Sequence, residues 1–178
     1  KSYAAAAAMK NTGHIISCDI HPHKIDLIAK GAHRLGVEII TPTLQDASKF
    51  HPQWDKSMDS VIADVPCSGL GVIRKKPDIR YKDLSQTAGL PEIQRNILEN
   101  VCRYVKPGGV LLYSTCTILK RENEDVAEHF LRNHPEFTAE PFALPSAFPQ
   151  QENNGMLTLY PCIHGTDGFF ICKLRRAL

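Results

Sequence analysis

Strand-like and helix-like segments alternate along the whole chain, and that alternation limits the fold more than any other feature. Residues 2–11 are Ala-rich and helix-favouring, and Asn11-Thr12-Gly13 is a C-terminal stop signal. The run of five alanines, Ala4 to Ala8, is unusual for an amphipathic helix. Residues 14–18 read as a short buried strand. Across 22–35, Ile25, Ile28, Ala29, Ala32 and Leu35 recur at helical spacing, and Gly36 ends the pattern. Residues 37–40 are rich in β-branched side chains and strand-like. A further strand at 60–65 stops at Pro66.

The second half repeats the alternation. Pro91, whose fixed φ suits a first helical turn, opens a predicted helix with Ile93, Ile97, Leu98, Val101 and Val105 on its apolar face. The segment 106–109, Lys-Pro-Gly-Gly, is expected to close it, and 110–115 is the next buried strand. Residues 120–133 are expected to be helical, with Glu122, Glu124 and Asp125 favouring the positive N-terminal end and Val126, Phe130 and Leu131 buried. Residues 141–154 read as a loop, and 156–160 and 169–174 as two last strands around 163–168.

Such alternation implies an α/β fold: a doubly wound, mostly parallel sheet with helices on both faces, and an antiparallel pair at the C-terminal end. A chain of 178 residues suffices for one domain, and neither a repeat nor a boundary interrupts the pattern, so 1–178 is read as one domain. No run approaches the ~20 apolar residues that span a bilayer. Residues 1–13 lack the parts of a signal peptide. A cytoplasmic protein without a membrane partner is expected. None of the six cysteines forms a C-x-x-C pair, so no structural metal site is expected and the thiols should be reduced. The net charge of +2 neither demands nor excludes nucleic acid. Its distribution is more informative, because Arg74, Lys75, Lys76, Arg80 and Lys82 fall within nine residues.

In open α/β sheets ligands bind beyond the carboxyl ends of the strands. Asp19 follows the first strand; it suits the ribose hydroxyls of a nucleotide-like cofactor, and equally suits capping the next helix. Asp46 follows the next strand region; it could meet an adenine amino group or lie in an exposed loop. At 64–71, Asp-Val-Pro-Cys-Ser-Gly-Leu-Gly fixes an acid, Asp64, and a thiol, Cys67, at a strand end: Pro66 holds Val65 extended, and Gly69 and Gly71 allow a tight path. At 113–117, Tyr-Ser-Thr-Cys-Thr brings a second thiol, Cys116, to the same sheet edge. Two strand-end cysteines with an acid beside one point to thiol chemistry.

The motifs D-V-P-C-S-G at 64–69, Y-S-T-C-T at 113–117 and E-N-E at 122–124 resemble the RNA 5-cytosine methyltransferases of the Sun/Fmu/Nop type. G-V-I-R-K-K-P-D-I-R at 71–80 and H-G-T-D-G-F-F at 164–170 are similar to the bacterial members that act on small-subunit ribosomal RNA. The resemblance implies a Rossmann-like methyltransferase domain that uses S-adenosylmethionine to make 5-methylcytosine in RNA. It implies Cys116 as the attacking thiol, Cys67 in product release, and Asp64 at the N3/N4 edge of the base and near the cofactor. Asp19 and Asp46 match the family's ribose and adenine contacts, and Lys1 the lysine that ends its Gly-rich segment. The basic loop carrying Arg74, Lys75, Lys76 and Arg80 is expected on RNA phosphates. In the family the first strand and its glycine turn precede that lysine. The domain is therefore expected to be N-terminally incomplete, and residues 1–178 alone to bind the cofactor weakly. Two other readings stay open: a methyltransferase acting on another substrate, against which the paired cysteines argue, and a non-catalytic RNA-binding remnant.

Overall fold

The computed structural model describes residues 1–148 and 151–178. The chain divides into two compact units, residues 1–49 and 50–178. Among the described residues, no helix is long and apolar enough to cross a membrane.

The first unit holds α1 (Ser2–Ala8), β1 (Ile15–Asp19), α2 (Pro22–Arg34) and β2 (Ile40–Leu44). β1 and β2 are parallel, from Ile15 opposite Ile40 to Asp19 opposite Leu44, and α2 is the crossover. Ala6, Ala32 and Ile40 form the core, with Tyr3, Ile15, Ile28, Val37 and Ile39 packed on it. Gly31 lets α1 lie close to α2: a Cβ there would sit 2.1 Å from the Tyr3 Oη, and that hydroxyl donates to the Ile28 carbonyl at 3.0 Å. α1 is shorter than its composition predicts, because Lys10 and Asn11 adopt positive φ. The second strand starts later than its β-branched run: Val37 still donates back to the Ala32 carbonyl that closes α2. Burial of Val37 and Ile39, not strand pairing, accounts for their apolar character.

The second unit holds β3 (Met58–Asp64), α3 (Leu90–Val101), β4 (Val105–Thr115), α4 (Glu124–Asn133), β5 (Phe137–Ala139), β6 (Met156–Leu159), α5 (Pro161–His164) and β7 (Phe169–Arg176). Its sheet runs β3-β4-β7-β5, with β6 also on β7. β3 and β4 are parallel, whereas β4, β5 and β6 all meet β7 antiparallel. The antiparallel part is thus larger than a C-terminal pair. Residues 106–109 belong to β4 rather than closing a helix. They bulge, because Met58 faces Val105 while Ser60 already faces Val110. Leu98, Val105, Leu111, Tyr113, Val126, Phe130, Phe170 and Leu174 are the fully or almost fully buried core. α3 presents Ile97, Leu98 and Val101 to it, while Ile93 is 47% exposed.

β7 is fastened to the end of β5 by charge. The Glu140 carboxylate accepts from Lys173 Nζ and from the Arg175 guanidinium. The Arg175 and Lys173 hydrogen bonds push the Glu140 carboxyl down to about 2 from an ordinary 4.5. A depressed carboxyl stabilises the folded state above its unfolded pKa, and the contribution is lost as pH falls through the folded one. Glu140→Gln should therefore lower the melting temperature at neutral pH. The difference from wild type should shrink between about pH 4.5 and about 2, as thermal melts across that range would record. A difference that stays constant below pH 3 would rule out this linkage.

Candidate active site

β3 and β4 end at one edge, and their register puts Asp64 opposite Ser114. The two turns that follow therefore leave the sheet side by side. Val65 N–H donates to the Ser114 carbonyl at 3.2 Å, and Gly71 N–H to the Cys116 carbonyl at 2.9 Å. Gly168 N–H then donates to the Gly71 carbonyl at 2.7 Å, joining a third segment to the first two. This stack excludes side chains: a Cβ on Gly71 would lie 2.0 Å from the Gly168 oxygen and 2.7 Å from the Cys116 oxygen.

The result is a pair of touching thiols. Cys67 Sγ lies 3.1 Å from Cys116 Sγ, and the Cys116 N–H donates to Cys67 Sγ at 3.3 Å. Both residues are half-buried. The Cys116 contact, aided by burial, pushes the Cys67 thiol above its ordinary value. Asp64 is exposed at the end of β3, and its Oδ1 accepts from the Ser114 hydroxyl at 3.1 Å.

Beneath the thiols lies a polar cluster that the sequence reading missed. Glu122 and Gln94 are both fully buried. Glu122 Oε2 accepts from Ser68 N–H at 2.8 Å and from Gln94 Nε2 at 3.0 Å. Gln94 Nε2 also donates to the Pro66 carbonyl at 2.9 Å. The residues on both sides of Cys67 are thus held by one side-chain pair. Ser68 and Thr117 hydroxyls bond at 2.7 Å, and Lys82 Nζ donates to the Ser68 carbonyl at 2.8 Å. The signal was present in α3. Gln94 precedes Ile97, Leu98 and Val101 at i+3, i+4 and i+7, so it shares their buried stripe. Glu122, expected as an acid favouring a helix start, instead ends a short 3-10 turn. The helix begins only at Glu124 because Asn123 is buried and bonded to Thr115 and Thr117.

In the first unit Asp19 and Asp46 lie at the carboxyl ends of adjacent parallel strands, where Gln45 N–H donates to the Asp19 carbonyl at 3.1 Å. Asp19 Oδ1 accepts from His21 N–H at 2.9 Å, just ahead of α2, and Oδ2 lies 3.3 Å from Lys24 Nζ. Partial burial works against its charge, but the His21 N–H and the Lys24 ammonium outweigh it and hold the carboxyl below its ordinary value. Asp46 Oδ1 accepts from the Ser48 hydroxyl and N–H, which lower its carboxyl likewise. Lys1 is exposed at the start of α1 and makes no side-chain cap.

The basic loop is partly engaged within the second unit. Arg74 donates to the Gly165 and Thr166 carbonyls at 2.6 and 3.2 Å, and Lys75 pairs with Asp167 at 2.6 Å. These contacts border a cleft of about 550 Å³ that Leu159 and Phe169 also line. Lys76 and Arg80 are exposed, the latter with its guanidinium 5.6 Å from the Tyr81 ring centre.

The fold is that of Rossmann-like methyltransferases. The crystal structure of PH0851 superposes with a TM-score of 0.88 at 35% identity, over 99% of this chain and 40% of that one. NSun6 from Pyrococcus horikoshii, crystallised with SFG, superposes with a TM-score of 0.85 at 29% identity, over 99% of this chain and 45% of that one. The family model described as 16S rRNA methyltransferase RsmB/F matches residues 1–175. A probable ribosomal RNA small subunit methyltransferase B from Bacillus subtilis is 42% identical over 99% of the chain. The chain belongs to the 16S rRNA methyltransferase RsmB/F family. It spans 40% of that relative's length.

Removing Glu122 tests the cluster. Glu122→Ala would leave Ser68 N–H and one Gln94 bond without their acceptor, at about 1–3 kcal/mol for each buried donor. Urea unfolding should show a loss of that order, and Glu122→Gln, which keeps an acceptor oxygen, a smaller one. Equal losses in the two variants would mean that the carboxylate only fills space.

Proposed function

We propose that the chain is the catalytic part of an S-adenosylmethionine-dependent RNA methyltransferase that methylates cytosine C5, with small-subunit ribosomal RNA as substrate. The contact between Cys67 and Cys116 at the ends of adjacent parallel strands, 3.1 Å apart, carries this reading. Transfer to nitrogen or oxygen needs no thiol, whereas cytosine C5 is too weak a nucleophile without one. A thiolate that adds to C6 makes C5 enamine-like. C5 then takes the methyl group, a base removes the C5 proton, and the C6–S bond breaks to restore the aromatic ring.

Within that sequence Cys116 is the attacking thiol. Cys67, whose thiol is pushed up by its contact with Cys116 and by burial, is suited to assist release of the product. Asp64, exposed beside this edge, is the hydrogen-bonding group for the N3/N4 edge of a base that has left its stack. The cofactor supplies the methyl group on a sulfonium. The carboxylates of Asp19 and Asp46 fit its adenosine end, because ionised acceptors at strand ends suit ribose hydroxyls and an amino group. Lys1 is assigned to the same ligand. Lys76 and Arg80 are free to take RNA phosphates, with Arg74 and Lys75 at the rim of the neighbouring cleft.

Two measurements test this. With RNA containing 5-fluorocytosine, the complete wild-type enzyme should form a covalent adduct and Cys116→Ala none. Cys67→Ala on ordinary RNA should accumulate methylated adduct, because attack survives and release fails. Adduct formation by Cys116→Ala but not by Cys67→Ala would reverse the assignment. Separately, in the full-length protein, Asp19→Ala should weaken S-adenosylmethionine binding by about 1–3 kcal/mol, through loss of charge-assisted hydrogen bonds, and hardly change RNA affinity. Calorimetry showing the same cofactor affinity would leave Asp19 as a support for α2 alone.

A further inference from the structure

We propose that Cys67 and Cys116 form a reversible disulfide, a modification site that closes the thiol pair when a disulfide oxidant such as oxidised glutathione is present. The Sγ atoms are 3.1 Å apart, and a disulfide needs about 2.05 Å. The sulfurs therefore have about 1 Å to travel. Both turns keep their anchors while they do so. The Cys116 carbonyl stays on Gly71 N–H, and Pro66 and Ser68 stay on Gln94 and Glu122. The pair is half-buried and so within reach of a small thiol reagent, whereas Cys102 and Cys172 are buried.

The exchange balances without a further reactant. Cys116 as thiolate attacks one sulfur of oxidised glutathione, the glutathione S–S bond breaks, and one glutathione leaves as a thiol with the proton Cys116 gave up. Cys67, once deprotonated, attacks Cys116 Sγ in this mixed disulfide, and the second glutathione leaves with the Cys67 proton. Two electrons pass from the protein thiols to glutathione disulfide, and the reverse exchange with reduced glutathione restores them. The touching neighbour makes Cys67 a resolving thiol. Cys162, exposed on α5, serves as an internal control for simple glutathione addition. The disulfide does not rest on the proposed methyl transfer; its effect on that reaction does.

The test begins with purified protein, reduced, freed of reductant and incubated with graded oxidised glutathione. It is then capped with N-ethylmaleimide and digested without reductant. Mass spectrometry should find the Cys67 and Cys116 peptides joined, lighter by two hydrogens than their sum. The joined fraction should not depend on protein concentration and should vanish with dithiothreitol. In Cys67→Ser, and separately in Cys116→Ser, the remaining thiol should instead carry glutathione, in samples whose melting curves match wild type. Recovery of both cysteines capped by maleimide, separate glutathione on each, or a link only between molecules would overturn the proposal. Methyl transfer should fall in proportion to the joined fraction and return on reduction. In the complete enzyme, a joined fraction with no methyl transfer even after reduction supports the disulfide and sinks the proposed reaction. Full methyl transfer by fully joined protein upholds the reaction's independence from these thiols and overturns the disulfide as a control on it.

Discussion

The parallel register of β3 on β4 is the constraint on which the rest of the site depends. Asp64 faces Ser114, so the chain leaves both strands at the same level and the two cysteine turns run together. A slip of one residue would turn every side chain on one strand to the opposite face and part the thiols. The ladder also continues past the strands, through Gly71 to Cys116 and through Gly168 to Gly71. Backbones this close leave no room for Cβ atoms, which is why two glycines in unrelated motifs are needed at one place. The sheet's far end assists: β7 pairs antiparallel with β4, placing Phe170 opposite Thr115, so the loop before β7 arrives where the ladder needs its third member.

A buried carboxylate normally destabilises a fold, and Glu122 is fully buried. Two donors, Ser68 N–H and Gln94 Nε2, share its Oε2. Its Oε1 and the Gln94 Oε1 have no protein partner among the described residues. The cluster is therefore not optimal for stability, since an unsatisfied buried acceptor costs about 1–3 kcal/mol. What it does achieve is position. It grips the chain on either side of Cys67 and leaves the thiol itself unconstrained by covalent neighbours other than Pro66 and Ser68. Arg121 adds a second tie from the same turn, donating to Thr87 Oγ1 at 2.6 Å.

Much of this was legible in the sequence. The strand at 60–65, the helix from Pro91 and the strand at 110–115 all formed close to their predicted places, because hydrophobic period and Pro or Gly punctuation agreed. Both cysteines and the carboxylates of Asp19, Asp46 and Asp64 drew attention by standing at or just beyond predicted strand ends, and their roles were implied by the family resemblance. What the pattern concealed was of two kinds. Backbone bonding was invisible, so residues 106–109 passed for a helix terminator when they form a bulge in β4, and the three-residue β5 gave no period to detect. Buried polar residues were also invisible: Gln94 sat on an apolar stripe and Glu122 in a run of acids, and each was read by residue type rather than by position. The basic loop shows the same limit, since Arg74 and Lys75 are charged in sequence yet directed to the 165–167 segment by their nearest acceptors.

The two thiols are chemically unequal although the sequence writes them alike. They share one contact, and two adjacent thiolates would repel at 3.1 Å. Loss of one proton therefore makes loss of the second harder. The contact and burial both push the Cys67 thiol up. The Cys116 N–H donates to the Cys67 sulfur and opposes that rise, because a donor favours the thiolate. That donor is one difference between the two sulfurs. In a disulfide exchange the sulfur that ionises first attacks the outside reagent, and its touching neighbour then displaces the bound thiol.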